Sequence, residues 1–405
     1  MAEVILINLT GPDRPGITRD LSGILARHDA RILDIGQAVI HDTLTLGILI
    51  DLPPASESHP VLKDVLFKAH EWSLQARFTP VDPDDYERWV EGQGRPRSIM
   101  TLIGSELTAQ HLEALGAVAT RHGLNIDHIR RLSGRVSLRS SVAPKRSCVE
   151  LSLRGTPDDA SALRGELLEL AQRLTVDIAF QVDDVYRRNR RLVAFDMDST
   201  LIQAEVIDEL AAEAGVGEEV AAITEAAMNG ELDFEQSLLR RVSLLEGLDE
   251  SVLEEVSKRL PLTPGAERLI RTLGSLGYRT AILSGGFGFF GRSLQARLGI
   301  DYVFANELEI DAGRLTGRLR GEIVDGRRKA ELLQQIAREA GIRIEQTIAV
   351  GDGANDLPML DTAGLGIAFH AKPRVRESAE QAISNLGLDG ILYLVGMSDL
   401  EAQQA

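Results

Sequence analysis

Short apolar runs in the second half of the chain end on polar residues, and this pattern predicts a parallel sheet. The first run, 192–195, is followed by two aspartates one residue apart, Asp196 and Asp198. Four apolar residues are enough for a buried strand and too few for a helix. Ligands of an open α/β sheet collect beyond the carboxyl ends of its strands, so two carboxylates at this place indicate a site of chemistry.

Two later segments carry groups that can hold a phosphate. The apolar run 279–283 ends on Ser284 and Gly285, and a small hydroxyl with glycine amides at a strand end can bind phosphate oxygens. Lys329 follows near the start of a predicted helix. Taken alone, Lys329 would be read as a surface lysine, and its importance depends on the other segments.

A fourth segment, after the apolar run 347–350, reads Gly-Asp-Gly-Ala-Asn-Asp and contains Asp352, Asn355 and Asp356. In this order the four segments resemble the signature motifs of the haloacid-dehalogenase-type phosphohydrolases, over residues 191 to about 392. They are most similar to the branch of that family that hydrolyses O-phospho-L-serine. The resemblance implies a Rossmann-like α/β core with a parallel sheet, and an aspartyl-phosphate intermediate.

The resemblance also assigns roles. It implies that Asp196 is the nucleophile and that Asp198 is the general acid and then the base. Mg2+ is expected on Asp196, Asp352 and the main-chain carbonyl of Asp198, because hard oxygen ligands suit this ion. The expected contacts of the phosphoryl group are Ser284, Gly285, Lys329 and Asn355. Asp356 is expected to orient the metal's water or Lys329.

The segment 205–261 is predicted to be a helical cap inserted into a core of residues 186–204 and 262–405. It is strongly acidic, and Arg240 and Arg241 are the only cations between residues 205 and 255. By the resemblance, Arg241 would bind the substrate carboxylate and Glu205 its ammonium group. Met228 and Phe234, at helical spacing, would exclude water, although such residues are more often core.

The first half contains a degenerate repeat in which each unit reads strand, helix, two strands, helix, strand. The units resemble ACT domains, which implies two α+β (βαββαβ, ferredoxin-like) domains at 1–83 and 98–185, joined by a linker at 84–97. In the first unit, Asp13 is expected to cap the helix, Pro15 to lie in its first turn, and Gly16 to allow close approach of a ligand. A plain helix start is the alternative. The second unit lacks this segment.

Composition limits the partners. A formal net charge of −17 and only 4% aromatic residues argue against nucleic-acid binding. A single cysteine, Cys148, expected to be buried, fits a reducing compartment. No run is long enough to span a membrane, and the N-terminus passes directly into a predicted strand. A cytoplasmic protein is therefore expected, and the basic stretch 187–191 is predicted to be a solvated linker face.

Two other activities stay open. The segment from Gly286 to Gly291 matches a dinucleotide-binding fingerprint, with Glu307 near the spacing of a ribose-binding acid, which would suggest a dehydrogenase. A phosphotransferase would use the same residues as a phosphatase. The expected function is the last step of serine biosynthesis, with L-serine or another amino acid as an effector of the ACT domains. A homodimer is expected because ACT sheets tend to pair their edges.

Overall fold

The computed structural model describes residues 3–52, 58–135, 137, 139, 146–228 and 231–404. The chain divides into two compact units, Met1–Arg95 and Pro96–Ala405. Among the described residues, none of the helices has the length and apolar character needed to cross a membrane.

The first unit is a four-stranded antiparallel sheet packed against two helices. Its elements are β1 (Glu3–Pro12), α1 (Ile17–Arg27), β2 (Arg31–Ile40), β3 (Thr43–Leu52), α2 (Ser58–Glu71), β4 (Gln75–Val81) and α3 (Pro83–Glu91). The strand order is β2-β3-β1-β4. Alternate apolar residues of β3, such as Leu46 and Ile48, are buried against α1 and α2. The predicted order of strands and helices is confirmed, whereas α3 was not predicted: it lies largely within the segment assigned to a linker and is capped by Asp82.

The second unit begins with the same topology. Its first elements are β5 (Arg97–Gly104), α4 (Ala109–Arg121), β6 (Asn125–Arg131), β7 (Ser147–Arg154), α5 (Ala160–Leu174) and β8 (Asp177–Val182). The strand order is β6-β7-β5-β8. Cys148 lies on β7 with 1% of its surface exposed, and burial raises the pKa of its thiol well above the ordinary value. The thiol is therefore unreactive.

The rest of the second unit is an α/β core. Its elements are β9 (Leu192–Phe195), α6 (Val206–Ala214), α7 (Gly217–Met228), α8 (Phe234–Ser243), α9 (Ser251–Arg259), α10 (Ala266–Ser275), β10 (Arg279–Phe287), α11 (Gly288–Leu298), β11 (Tyr302–Asp311), β12 (Arg314–Arg320), α12 (Gly326–Glu339), β13 (Thr347–Gly351), α13 (Leu357–Thr362), β14 (Gly366–Phe369), α14 (Pro373–Ser378), β15 (Gln381–Ile383), α15 (Ile391–Leu394) and α16 (Asp399–Gln404). The sheet order is β12-β11-β10-β9-β13-β14-β15, and only the β11–β12 pair is antiparallel. Helices α6 to α9 form the predicted cap. The predicted parallel core is confirmed.

The second ACT sheet is fastened to this core by buried polar contacts. The side-chain amide of Gln381 donates to the carbonyl of Phe180 (2.7 Å) and accepts from its amide (2.9 Å), as a neighbouring strand would. Asp177 accepts hydrogen bonds from the main-chain amides of Ser384 and Asn385, both at 2.9 Å. These contacts hold β8 beside β15.

The basic stretch 187–191 is only in part the solvated face that the sequence predicted. Arg187 is 1% exposed and pairs with Glu150 of β7, and Arg190 is 8% exposed. The prediction is wrong for these two arginines, because net charge says nothing about local packing. Here Arg187 and Arg190 are covered between the second ACT sheet and the core, whereas Arg188 and Arg191 remain exposed.

Candidate active site

The site begins where β9 ends, in the middle of the sheet. All four residues of β9 are buried, and the strand pairs in parallel with β10 and β13. Asp196 follows, and its amide donates to the carbonyl of Val350 on β13 (2.9 Å). The chain then makes one tight turn, Met197–Leu201, in which Ser199 adopts a left-handed conformation (φ 57°) that is costly for a non-glycine residue. This strained turn sets the positions of Asp196 and Asp198.

Lys329 occupies the centre of the site and is completely buried. Its Nζ lies 3.0 Å from Asp196 Oδ1 and 2.6 Å from Asp356 Oδ1. Burial by itself would lower the pKa of Lys329, but the two carboxylates raise it above the ordinary value, so the ammonium stays charged. The surface-lysine reading of Lys329 is therefore wrong.

Both carboxylate oxygens of Asp356 accept hydrogen bonds from neighbouring groups of the protein. Besides Lys329, it accepts hydrogen bonds at Oδ2 from the amides of Asp352 (3.1 Å) and Gly353 (2.9 Å). Burial and the neighbouring Asp196 raise the pKa of Asp356 to about 6, while Lys329 acts against them. Asp356 thus fixes Lys329 and the loop that carries Asp352.

Asp352 lies in a cluster of like charges. Carboxylate oxygens of Asp196, Asp352 and Asp356 all lie within 4.8 Å of one another. Burial, followed by the charges of Asp196 and Asp356, raises the pKa of Asp352 to about 8. Thr200 Oγ1 donates to Asp352 Oδ1 (3.0 Å), which fixes the carboxylate. Hard oxygen ligands crowded in this way suit a divalent cation such as Mg2+, which would relieve the repulsion.

Asp198 and Glu205 form the side of the site that faces the cap. Burial, Glu205 and Asp196 together raise the pKa of Asp198 well above its ordinary value. The amide of Val206 lies 3.4 Å from Asp198 Oδ1, and Ser199 Oγ donates to Glu205 Oε1 (2.8 Å). Burial also raises the pKa of Glu205, although part of its side chain keeps contact with solvent. The shift in the pKa of Asp198 therefore favours the protonated form of this carboxyl.

The end of β10 approaches Asp198 closely. The buried hydroxyl of Ser284 accepts a hydrogen bond from the amide of Gly286 (3.0 Å). A Cβ atom placed on Gly286 would lie 2.5 Å from Asp198 Oδ2, and one on Gly285 would lie 2.7 Å from Cζ of Phe234. A side chain at Gly286 would therefore displace Asp198, and one at Gly285 would displace Phe234 of the cap, which lies directly against the β10 loop.

Asn355 lies in the same loop as Asp352. Its side chain is half-buried and folds over Gly353, where its Oδ1 would clash with any added Cβ atom. The structure therefore brings Asn355 to the carboxyl end of β13, beside the aspartates. Residues of the four segments converge at one edge of the sheet.

Arg241 projects from α8 toward the acids of the cap. Its Nε lies 3.4 Å from the carbonyl of Ser237, one turn earlier in the same helix. Burial lowers the pKa of Arg241, and the charges of Asp208, Glu205 and Asp198 counteract this effect. Arg240, the preceding residue, is exposed. The two cap arginines are thus in different environments.

The remaining prediction for the cap concerns Met228 and Phe234, and the structure describes the side chain of Phe234 only. Phe234 begins α8, whereas Met228 ends α7, so the helical spacing of these residues does not place them on one helix. The side chain of Met228 lies outside the described residues.

Asp13 and Gly16 lie in the first unit and line a cavity of about 390 Å³. Helix α1 starts at Ile17 without a side-chain cap, and the amide of Asp13 donates to the carbonyl of Asp42 (2.7 Å). The expectations that Asp13 caps the helix and that Pro15 lies in its first turn are therefore wrong. Gly16 has φ 99° with open space around it, so it serves the backbone conformation and leaves room above the loop.

The residues of the dinucleotide fingerprint have other structural uses. Gly288 leaves space for Glu307, and Gly291 leaves space for Val303 of β11. Glu307 itself pairs with Arg292 of α11 (2.5 Å). Gly288 and Gly291 therefore allow α11 to pack against β11, Gly286 lies against Asp198, and Glu307 is paired with an arginine.

Several contributing residues were not singled out from the sequence. Thr200, which donates a hydrogen bond to Asp352, lies within the first motif, but its residue type alone does not indicate this role. Asn306 of β11 joins two loops, because its amide donates to the carbonyl of Gly285 (2.8 Å) while its oxygen accepts from the amide of Val324 (2.8 Å). No sequence signal indicates such a bridge.

An α/β sheet with three aspartates and a buried lysine at its carboxyl edge, beneath a helical cap, defines a haloacid dehalogenase-like hydrolase. That family matches residues 193–361, and the ACT domain family matches residues 3–79 and 98–181. The chain is 45% identical to a phosphoserine phosphatase of Streptomyces coelicolor, over 99% of this chain and 94% of that protein. It is 42% identical to phosphoserine phosphatase SerB2 of Mycobacterium tuberculosis, over 99% of this chain and 95% of that protein. The chain belongs to the phosphoserine phosphatase family.

Solved structures agree with this assignment. A probable phosphoserine phosphatase from Vibrio cholerae, 38% identical, superposes with a TM-score of 0.59 over 76% of this chain and 89% of that one. A haloacid dehalogenase family hydrolase from Salmonella enterica serovar Typhi is 34% identical and superposes with a TM-score of 0.61. The match covers 74% of this chain and 98% of that one. The dehydrogenase alternative is therefore wrong, and the chain is a phosphatase.

Proposed function

We propose that the chain hydrolyses O-phospho-L-serine to L-serine and phosphate through a phosphoryl group carried on Asp196. The observation that carries this proposal is the contact of Asp196 with the buried ammonium of Lys329 at the centre of the sheet edge. Phosphomonoesters hydrolyse very slowly without a catalyst, so an in-line nucleophile and a fixed positive charge are the groups required.

One oxygen of Asp196 is better suited to attack than the other. Oδ1 accepts from the amide of Met197 (2.7 Å) and contacts Lys329 Nζ (3.0 Å). We therefore assign attack on phosphorus to Oδ2. The seryl oxygen leaves as the new bond forms, which produces an aspartyl-phosphate.

Asp198 supplies the proton. Its raised pKa favours the protonated carboxyl, which would donate its proton to the departing seryl oxygen and become a carboxylate. The carboxylate then takes a proton from water as the water attacks phosphorus, which releases phosphate and restores Asp196. The two steps return both aspartates to their starting states.

The phosphoryl oxygens would be held by the remaining members of the cluster. We assign Lys329 as the fixed cation, with Ser284, Gly285 and Asn355 as neutral contacts. Asp196, Asp352 and the main-chain carbonyl of Asp198 would hold Mg2+, which supplies charge neutralisation when bound.

The cap would select the amino-acid part of the substrate. Arg241 suits a carboxylate, because its own hydrogen bond is weak and its environment is partly dry. Glu205 would take the ammonium group, while Phe234 and Met228 exclude water. These are proposals for a phosphorylated amino acid in particular, and they account for an acidic cap with one inward-facing arginine.

We also propose control by an amino acid, with L-serine as the first candidate. The cavity beside Asp13 and Gly16 in the first unit would receive it.

A homodimer is proposed because β2 is an unpaired edge strand with exposed Ile35 and Ile40, a surface that a second copy could cover. The domain limits 1–83, 98–185, 186–204 with 262–405, and the cap 205–261, are kept as proposals. The last step of serine biosynthesis and a cytoplasmic location complete the assignment.

The test is mass spectrometry of the protein quenched in acid during turnover of O-phospho-L-serine with Mg2+. Asp198→Asn should accumulate a phosphoryl group on Asp196, because the intermediate is hydrolysed slowly without the base. Asp196→Asn should carry none and should have no activity. Labelling of another residue would disprove the assignment. Phosphate release that falls short of serine release would indicate transfer to an acceptor other than water.

A further inference from the structure

A second cavity, of about 770 Å³, lies in the second unit at the opposite end of β9 from Asp196. Arg191 and Tyr278, which precede β9 and β10, form one side, and Ile99 and Ser152 of the second ACT sheet form another. Small-molecule sites typically measure roughly 300–1,000 Å³. The size is therefore suitable for a metabolite.

The lining of this cavity is cationic in a chain whose net charge is −17. It holds six arginines against three carboxylates. The arginines are Arg97, Arg130, Arg187, Arg188, Arg190 and Arg191. Such a local excess of one charge in a protein of the opposite sign points to an anionic ligand.

Two of the carboxylates are already engaged. Glu150 pairs with Arg187, and Asp183 Oδ1 lies 3.9 Å from Arg188 Nη2. These contacts neutralise two of the positive charges, and Arg97 Nη2 lies 3.7 Å from Asp127 Oδ2, outside the cavity lining. The other three arginines have no carboxylate partner among the ion pairs of the described residues.

Three other arginines donate to neutral oxygens. Arg130 Nη2 donates to the carbonyl of Gly396 (2.8 Å), and Arg191 Nε donates to Asn189 Oδ1 (3.0 Å). Arg190 Nη1 bonds a main-chain carbonyl of the core. Each contact fixes a guanidinium group without cancelling its charge, so the positive field of the cavity is maintained.

Two buried guanidinium groups have incomplete hydrogen bonding. Arg187 is 1% exposed and Arg190 is 8% exposed, and within the described part of the chain the Nε of each has no hydrogen-bond partner. Buried polar groups are normally paired, so orphaned donors beside a cationic cavity are a second observation that favours an anion.

The other side of the cavity is apolar. Leu276 is 43% exposed, and Tyr278, Val395 and Met397 complete this side. We propose that the cavity binds a small organic phosphate, whose phosphate groups contact the arginines and whose apolar or aromatic part lies on this surface. Arginine forks suit phosphate oxygens, and the tyrosine ring suits a planar group. The proposal does not depend on the phosphatase activity, because the cavity is at the other end of the sheet.

The test is calorimetric titration of the full chain with ATP in EDTA, compared with pyrophosphate and adenosine. ATP should bind at one site, more tightly than either fragment. Arg130→Gln with Arg191→Gln should weaken ATP binding at least 10-fold and leave the KM for O-phospho-L-serine unchanged. Both arginines are exposed, so the double variant should fold. Arg173→Gln with Arg338→Gln, exposed and outside the cavity, is the matched control.

Three results would overturn the proposal. Absence of ATP binding would do so, and so would equal ATP affinity in the double variant, which would place the ligand in the active site or elsewhere. Pyrophosphate binding as tightly as ATP would contradict the apolar half of the proposal. Adenosine binding as tightly as ATP would contradict its cationic half.

Discussion

Replacement of Lys329 by methionine should destabilise the second unit strongly. The substitution keeps a similar volume but leaves Asp196 and Asp356 buried without the cation that lies 3.0 and 2.6 Å from them. Removing one partner of a buried ion pair typically costs about 3–5 kcal/mol. At about 2 °C per kcal/mol for a domain of this size, the midpoint of thermal unfolding should fall by roughly 6–10 °C.

A second substitution should return part of this loss. Asp356→Asn removes one of the stranded charges, and its amide oxygen can still accept one of the main-chain hydrogen bonds that Asp356 makes. Replacing both partners of a buried pair is often close to neutral. The double variant Lys329→Met with Asp356→Asn should therefore unfold at a higher temperature than Lys329→Met alone, although both should have strongly reduced activity. Loss of a fixed cation of this kind typically lowers kcat by about 10²–10³.

The assay is thermal unfolding in EDTA, followed by circular dichroism. Both tryptophans of the chain, Trp72 and Trp89, belong to the first unit, so tryptophan fluorescence recorded in parallel reports that unit and serves as a control. A loss below 2 °C for Lys329→Met would refute the reasoning. A double variant no more stable than the single one would refute the charge argument and leave only a packing effect.

Three further predictions concern the metal, the cap and the effector loop. Because the pKa of Asp352 is raised to about 8 in the folded protein, the metal-free protein should lose stability as the pH rises from about 4 to about 8. Mg2+ should therefore raise the unfolding temperature more at pH 8 than at pH 6. An equal rise at both pH values would contradict this prediction. Arg241→Ala should lower kcat/KM for O-phospho-L-serine by at least 30-fold and should lower kcat/KM for a small aryl phosphate far less. The loss of a desolvated charged partner typically costs roughly 2–5 kcal/mol. Arg240→Ala, at an exposed position, should change neither value of kcat/KM. Gly16→Val should relieve inhibition by L-serine without changing the substrate KM. Gly23→Ala, within α1 and with open space around it, should leave the inhibition unchanged. Purely competitive inhibition that Gly16→Val does not change would argue against the effector site.

The sequence was most informative where the chemistry depends on residues close together in the chain. The spacing of Asp196 and Asp198 after an apolar run, and the loop that contains Asp352 and Asp356, are local patterns, and a parallel sheet necessarily brings the ends of such strands together. The order of strands and helices in both ACT units could also be predicted, because it too depends on local patterns of apolar and polar residues. Local patterns failed at the start of α1, where Asp13 has a plausible capping residue type but the backbone begins the helix later, at Ile17.

The sequence by itself therefore determined the fold class, the family and the residues gathered at the sheet edge. Only the tertiary structure decided which of them are desolvated, and burial shifts their pKa values. Lys329 changes from a possible surface lysine to a buried cation, and the pKa of Asp198 rises in the direction that a proton donor requires. It also reversed the interpretation of Arg187, because the cover over that side chain comes from a strand far away in the sequence. Pattern and spacing record neighbours along the chain, whereas solvation depends on neighbours in space.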